Sequence, residues 1–525
     1  MSFSRRDFIK TGVFASAAVA LPLQRFVSAQ TTLASRMPAS KLPRPFTTPF
    51  RVPPVARPFR SDGKTDYYKI TMAPMAAEIV PGFQTMLYAY NGSVPGPTIK
   101  VERGRQVVMR HANKLPAQHA TLRYEPYTSV HLHGSPSLPQ YDGYASDITR
   151  PGQYKDYFYP NTQAARTLWY HDHGLHHTAE NVYQGLAAMY ILHDPQEDAL
   201  GLPTGDFDVP LLLSDAMFNT DGSLLFSLED ESGMYGDVIL VNGSPWPAMK
   251  VKQRKYRFRV LNACVSRSFK WSLSTGDPIT VIATDGGLMP FPVRTTSIRH
   301  GMAERYDVVI DFSKYSPGQR VILRNASPKN NEDYPNTNQI MAFDVVRDDF
   351  DPSNNSVPSE LNPTCPTMAL QPSQAVQTRK LRLERKNSSW TINGNTWEKV
   401  VSSNYQHVEA KPMKDSVEIW EISNQSGGWF HPTHIHLVDF KILSRNGAAP
   451  FPYEQGPKDV VYVGENETVR LLMKFEGRGK YMIHCHNLVH EDHDMMTQYE
   501  VIDPEYPGED PFSAPSINLP EKNDL

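Results

Sequence analysis

Three cysteines in 525 residues (Cys264, Cys365 and Cys485) are too few for a disulfide-stapled scaffold. They are also too few for a zinc or iron–sulfur site built from four thiolates. An excess of charge of one sign is missing as well. The 53 Lys+Arg against 56 Asp+Glu leave a formal net charge of -3, which excludes the basic face expected of a nucleic-acid binder. Beyond the N-terminus no run approaches the roughly 18 apolar residues of a membrane-spanning helix, so the mature form is expected to be soluble, without a membrane partner. Histidine is nearly absent from the middle of the chain: between His193 and His407 only His300 occurs. Hydrophobic residues at 40% and charged residues at 21% fit a globular protein with several cores. The 44 prolines are about 8% of the chain, against a usual value of about 5%. They disfavour long helices and suit strands joined by turns. Length alone allows three or four domains, at roughly 150 residues each.

Residues 1–29 read as an export signal. Ser4-Arg5-Arg6-Asp7-Phe8-Ile9-Lys10 resembles a twin-arginine motif, and an apolar run follows from about Gly12 to Leu23. Val27-Ser28-Ala29 offers small residues for cleavage. Twin-arginine export to the periplasm or the outside is the expectation. Residues 30–60 form a Pro-rich arm with seven prolines between Pro38 and Pro58, expected to be extended rather than packed.

Asn-Gly, the strongest short hairpin signal, recurs at equal spacing at Asn91-Gly92, Asn242-Gly243 and Asn393-Gly394. Both intervals are 151 residues (242 − 91 and 393 − 242). Each is followed by strand-like runs, such as Gln106 to Arg110, Tyr256 to Asn262 and Val417 to Asn424. Equal spacing implies one β-domain repeated three times. The reading is all-β, with β-sandwich or barrel domains at 61–200, 201–350 and 376–525, a linker at 351–375, and a short helical piece near Ala179–Ala188.

Thirteen of the 18 histidines fall in four stretches. These are His131-Leu132-His133, His171-Asp172-His173 with His176 and His177, His431-Pro432-Thr433-His434-Ile435-His436, and His484-Cys485-His486 with His490 and His493. On a strand, His-x-His puts both imidazoles on one face. Imidazole suits copper, zinc, iron or nickel, and all four stretches lie in the first and third repeats. His490-Glu491-Asp492-His493 is not a zinc-protease motif, because its histidines are three apart rather than four. Alternation turns His484 and His486 to one face and Cys485 to the other. Cys485 with His431 and His490, and Met495 as a weak axial thioether, is the ligand set of a blue-copper electron-transfer site.

These four stretches resemble the copper motifs of the multicopper oxidases, laccase-like enzymes of three cupredoxin-like Greek-key domains, and most of all those of the bilirubin oxidases. The likeness spans the mature chain and includes Val265-Ser266-Arg267-Ser268-Phe269. It implies four copper ions. Cys485, His431, His490 and Met495 would hold the mononuclear blue ion. His131 and His434 would hold one ion of a trinuclear cluster, and His133, His171, His173, His436, His484 and His486 the coupled pair. His176, His177 and His493 have no ligand role. Asp142 and Glu491 match carboxylates that deliver protons, or else orient histidines. Continued strand alternation would turn Glu491 toward the cluster. Asn487 resembles a residue that hydrogen-bonds near the blue copper. Trp429 either walls the donor site or belongs to the core.

The implied activity is oxidation of small aromatic donors (bilirubin-type tetrapyrroles, phenols or aromatic amines), one electron at a time, with dioxygen reduced to water. A metal-ion oxidase of Cu(I) or Mn(II) is the alternative, and the scattered methionines disfavour the cuprous form. A non-enzymatic electron-transfer cupredoxin would leave His131, His133, His171 and His173 without a role. A monomer is expected. Cys264 and Cys365 read as buried thiols, with a bridge permitted by export but not required.

Overall fold

The computed structural model describes residues 36–227, 230–347, 352–506 and 510–512; the expected leader at 1–29 lies outside the described residues. The three equally spaced Asn-Gly turns organise the chain. Both positions have positive φ in every copy: 50° and 68° at Asn91-Gly92, 51° and 75° at Asn242-Gly243, 53° and 76° at Asn393-Gly394. That is the backbone these residues tolerate best. The asparagine side chain does the same work each time. Its Oδ1 accepts from the backbone N–H of Thr71 at 2.7 Å, of Leu212 at 2.8 Å and of Arg382 at 2.9 Å. The strands so capped, Thr65–Ala77, Asp208–Ala216 and Ala375–Lys386, run parallel to Gln106–Asn113, Lys255–Asn262 and Val417–Asn424. A parallel pair cannot be joined by a tight hairpin, so the chain crosses between two sheets before returning. Each repeat is therefore a two-sheet cupredoxin-like sandwich, with sheets of five and four strands in the first, seven and five in the second, and five and four in the third.

Each sandwich has its own core. Ile70 and Val107 meet Leu132 and Leu168 in the first, Phe258 and Phe343 meet in the second, and Trp420, Leu471 and Ile483 in the third. A fully buried side chain of this size contributes about 1.5–3 kcal/mol. The strands Val130–His133, Arg166–Asp172, His431–Ile435 and Gly479–Cys485 are buried on both faces nearly throughout. One face of each meets its own core, and the other meets the neighbouring domain. Buried ion pairs also join the repeats: Arg257 and Arg259 of the second engage Glu197 at 2.7 and 3.2 Å, together with Asp307.

Three expectations need correction. The Pro-rich arm is extended but docked: Met37 N–H donates to Phe218 O, Phe46 N–H to Trp246 O and Ala56 N–H to Thr98 O, and Met37 is buried. Its prolines set the extended path, while Phe46 and Phe50 supply the apolar grip on the second repeat. The helical piece near 179–188 is Thr178–Gln184, ended by Gly185 at φ 124°; Ala187 already begins a strand. Finally, Glu491 does not continue a strand, because Leu488–Asp492 is one helical turn capped by the Asn487 side chain. All three cysteines are buried free thiols, so Cys264 and Cys365 are not bridged. Among the described residues no helix is long and apolar enough to cross a membrane.

Candidate metal centres

Two neighbouring strands contribute to both centres. His431–Ile435 and Gly479–Cys485 pair antiparallel, with Thr433 opposite Cys485 and His434 opposite His484. Successive side chains alternate, so His431 and Cys485 project to one side, and His434 and His484 to the other.

On the first side, Cys485 Sγ lies 3.3 Å from His431 Nδ1 and 3.5 Å from His490 Nδ1, and the two Nδ1 atoms are 3.2 Å apart. The far nitrogens fix the tautomers. His490 Nε2 faces the carbonyl of Ser232 at 3.1 Å, which only accepts, so Nε2–H donates and Nδ1 keeps its lone pair. Ser426 Oγ donates to Asn424 Oδ1 at 2.6 Å and accepts from His431 Nε2 at 2.8 Å, with the same effect. The Asn487 backbone N–H points at the sulfur at 3.4 Å, and its side chain reaches His490. Met495 is fully buried in the same apolar cluster as Cys485, and its carbonyl accepts from Cys485 N–H. Trp390 tilts over His490 with centroids 4.1 Å apart, and the half-buried Trp429 stands edge-on to Trp390 at 5.9 Å. Trp429 thus packs against the core of the third repeat.

On the second side, eight imidazoles from the first and third repeats converge. His131 Nε2 and His434 Nε2 are 3.4 Å apart. His484 Nε2 lies 3.2 Å from His173 Nε2 and 3.0 Å from His436 Nε2. His133, His171 and His486 make a further triplet. Outer partners again choose the tautomer: Asp142 O for His131 Nδ1, Asp172 O for His171, Asp459 O for His434 and Asp142 Oδ2 for His436. Gly143, at φ 76°, permits the Asp142 loop, since a Cβ there would lie 2.5 Å from Val130 O. Glu491 reaches this side despite its helix. Its Oε2 is 2.9 Å from His484 Nδ1, and Oε1 is 3.6 Å from His173 Nε2.

Burial holds the His133, His171, His434, His436 and His486 rings well below the usual histidine range, and brings His173 and His431 down to about 3. They are neutral at pH 7, with lone pairs to offer. Burial also raises the Cys485 thiol, so a soft cation must displace its proton. Burial raises Asp142 too. It would raise Glu491, but the rings of His484 and His173 outweigh it and hold that carboxyl at about 2.

The donor set fits copper. His133 Nδ1, His171 Nε2 and both nitrogens of His486 are buried without a hydrogen-bond partner, an arrangement that costs free energy unless a cation takes the lone pairs. A thiolate with a majority of imidazole nitrogens, rather than a set of carboxylate and carbonyl oxygens, disfavours calcium and magnesium. Asp142 lies within ligand distance of His131 and His436, but its Oδ2 is taken by His436 Nδ1.

The ten expected histidines and Cys485 are therefore buried at the two centres and Met495 is buried in the apolar cluster of Cys485, while His176, His177 and His493 stand apart: His177 stacks on Tyr124, and His493 Nδ1 donates to Val489 O. Sequence reasoning missed Ser426, Trp390, Ser232, Asp459 and Arg305. Their partners lie elsewhere in the chain, and no local pattern marks them.

Family models described as multicopper oxidase match residues 72–197, 207–345 and 369–505. The chain is 43% identical to a bilirubin oxidase of Albifimbria verrucaria, over 86% of this chain and 81% of that protein. It is 34% identical to a laccase of Bacillus subtilis, over 87% and 99%. The crystal structure of a multi-copper oxidase from Pediococcus acidilactici superposes with a TM-score of 0.79 at 32% identity, covering 89% of this chain and 94% of that one.

Proposed function

This chain belongs to the multicopper oxidase family, a copper-dependent oxidoreductase with oxygen as acceptor, and we propose that its donors are small aromatic molecules such as bilirubin-type tetrapyrroles, phenols and aromatic amines. Four copper ions, held as one by Cys485, His431, His490 and Met495 and three by the eight remaining histidines, would supply one-electron oxidation of the donor and four-electron reduction of dioxygen to two waters. The carrying observation is that Cys485 and His484 are consecutive in the chain yet face different centres. The peptide between them is the shortest covalent link from donor side to oxygen side.

The chain's own residues divide the remaining work. Trp390, Trp429 and the Ser232 carbonyl shape the apolar wall beside His490. Asn487 and Ser426 hold the thiolate side rigid. Asp142 Oδ2 stands against His436 Nδ1, placed to hold a proton, and the ionised Glu491 Oε2 stands against His484 Nδ1, placed to relay the protons that water formation consumes. Domain limits at 61–200, 201–350 and 376–525, twin-arginine export to the periplasm or outside, and a monomeric state belong to the same reading.

Metal analysis, visible spectroscopy and oxygen uptake test it. About four coppers per chain and an intense band at roughly 600 nm, as Cu–thiolate bonding gives, are expected. Uptake should be fastest with bilirubin, a dimethoxyphenol or an aromatic diamine. A colourless reconstituted protein, or one binding a single ion, sinks the reading. Strong preference for Cu(I) or Mn(II) as donor would make it a metal-ion oxidase.

A further inference from the structure

The middle domain supplies no ligand, yet one of its side chains reaches the cluster. Arg305 opens the strand Arg305–Asp311 and is fully buried. All five of its guanidinium hydrogens are used, and they engage all three domains. Nε–H donates to Thr167 O of the first; Nη1 and Nη2 donate to Ala303 O and Asp285 O of the second. The remaining two form a fork onto Asp459 of the third, at 2.6 Å to each oxygen. Asp459 Oδ1 also faces His133 Nε2 at 2.9 Å, and its carbonyl accepts from His434 Nδ1 at 2.8 Å. Gly134, next to His133, makes room: a Cβ there would lie 2.7 Å from Arg305 Nη2 and 3.0 Å from Asp459 Oδ2.

The fork has a consequence for His133. A carboxylate gripped at both oxygens by a guanidinium is an acceptor only, so the hydrogen between Asp459 and His133 sits on Nε2. Nδ1 is then the nitrogen left with a lone pair, and it is the one buried without a partner. His131, His171, His434, His436 and His484 are set the other way, with Nδ1 paired outward. We propose that Arg305 is a positioning residue that selects, through Asp459, the nitrogen by which His133 binds copper. The ligand-free middle domain thereby holds the oxygen-reducing side in register. This rests on the reading above that His133 is a ligand.

The test uses the full chain labelled with 15N-histidine. Without metal, the His133 resonances (identified by their loss in His133→Gln) are expected to show the Nε2–H tautomer alone. Arg305→Gln is expected to give a mixture of tautomers, and Arg305→Lys, which keeps the charge but not the fork, an intermediate result. After copper loading, Arg305→Gln should keep the wild-type visible band per chain but lose at least one copper. Gly134→Ala alters no charge and is expected to lose copper in the same way by displacing the guanidinium. If Arg305→Gln fails to fold, Arg305→Lys and Gly134→Ala decide the matter. Wild-type tautomer and copper content in the variants would overturn the proposal. The tautomer is read without metal, so a wild-type chain that took up no copper would sink the functional reading while this one was still decided.

Discussion

Glu491 Oε2 lies 2.9 Å from Nδ1 of His484, although the residue before Glu491, His490, points its own Nδ1 at Cys485 on the other side. Consecutive residues of a helical turn point about 100° apart, which separates the two directions. A carboxylate there can take the hydrogen of His484 and return one to the oxygen side.

For Glu491→Gln, anaerobic bleaching of the blue band by donor is expected at the wild-type rate. Its return on admitting oxygen should slow by about 10²–10⁴-fold, the usual contribution of a positioned acid or base. Stopped-flow absorbance separates the two steps. Equal slowing of both would make Glu491 a structural prop only.

Asp142→Asn keeps the carbonyl that orients His131 but removes the charge facing His436. Burial raises this carboxyl, so its protonated form persists to higher pH than an ordinary aspartate's. Wild-type turnover should therefore fall as pH climbs through that titration. The asparagine variant should be slower at every pH and lack that limb. Wild-type turnover with an unchanged pH profile would remove Asp142 from proton delivery.

Ser426→Ala leaves His431 Nε2–H without its acceptor. An imidazole that donates outward is a stronger ligand, so the variant is expected to bind the mononuclear copper about 10–100-fold more weakly. Its reduction potential should rise. Competition with a copper chelator and a spectroscopic redox titration read these two effects. Unchanged values would mean that the serine only fills space.

His111, which belongs to neither centre's group of histidines, is buried among Tyr90, Tyr157 and Tyr170, with neither nitrogen hydrogen-bonded. Burial brings its pKa from 6.5 down to about 3. Between those values the unfolded chain binds a proton that the folded chain refuses. Its stabilising contribution is therefore complete above pH 6.5 and is lost as pH falls toward 3, by about 5 kcal/mol in the limit. His111→Phe is expected to narrow the gap between melting midpoints at pH 7 and pH 4.5. An undiminished gap would show that acid lability lies elsewhere.

The ligand stretches were legible because two simple periods carry them: His-x-His on a strand, and a thiolate between two imidazoles. The three-fold repeat was legible because Asn-Gly turns need a rare backbone. Glu491 was expected on the correct side for the wrong reason, since a helical turn rather than a strand aims it. Prolines forecast the arm's extended path but not its packing, which depends on what Phe46 and Phe50 touch. Asp459 and Arg305 carry no local signature. Their meaning comes from a fork closed between positions 154 residues apart.

His131 and His434, whose Nε2 atoms face each other at 3.4 Å, are separated by 303 residues. A ribosome must therefore finish almost the whole polypeptide before half of that pocket exists. Metal acquisition is consequently a late event in the life of the molecule, after synthesis and three-domain docking. A product truncated before residue 431 lacks all of the first centre and four of the eight imidazoles of the second.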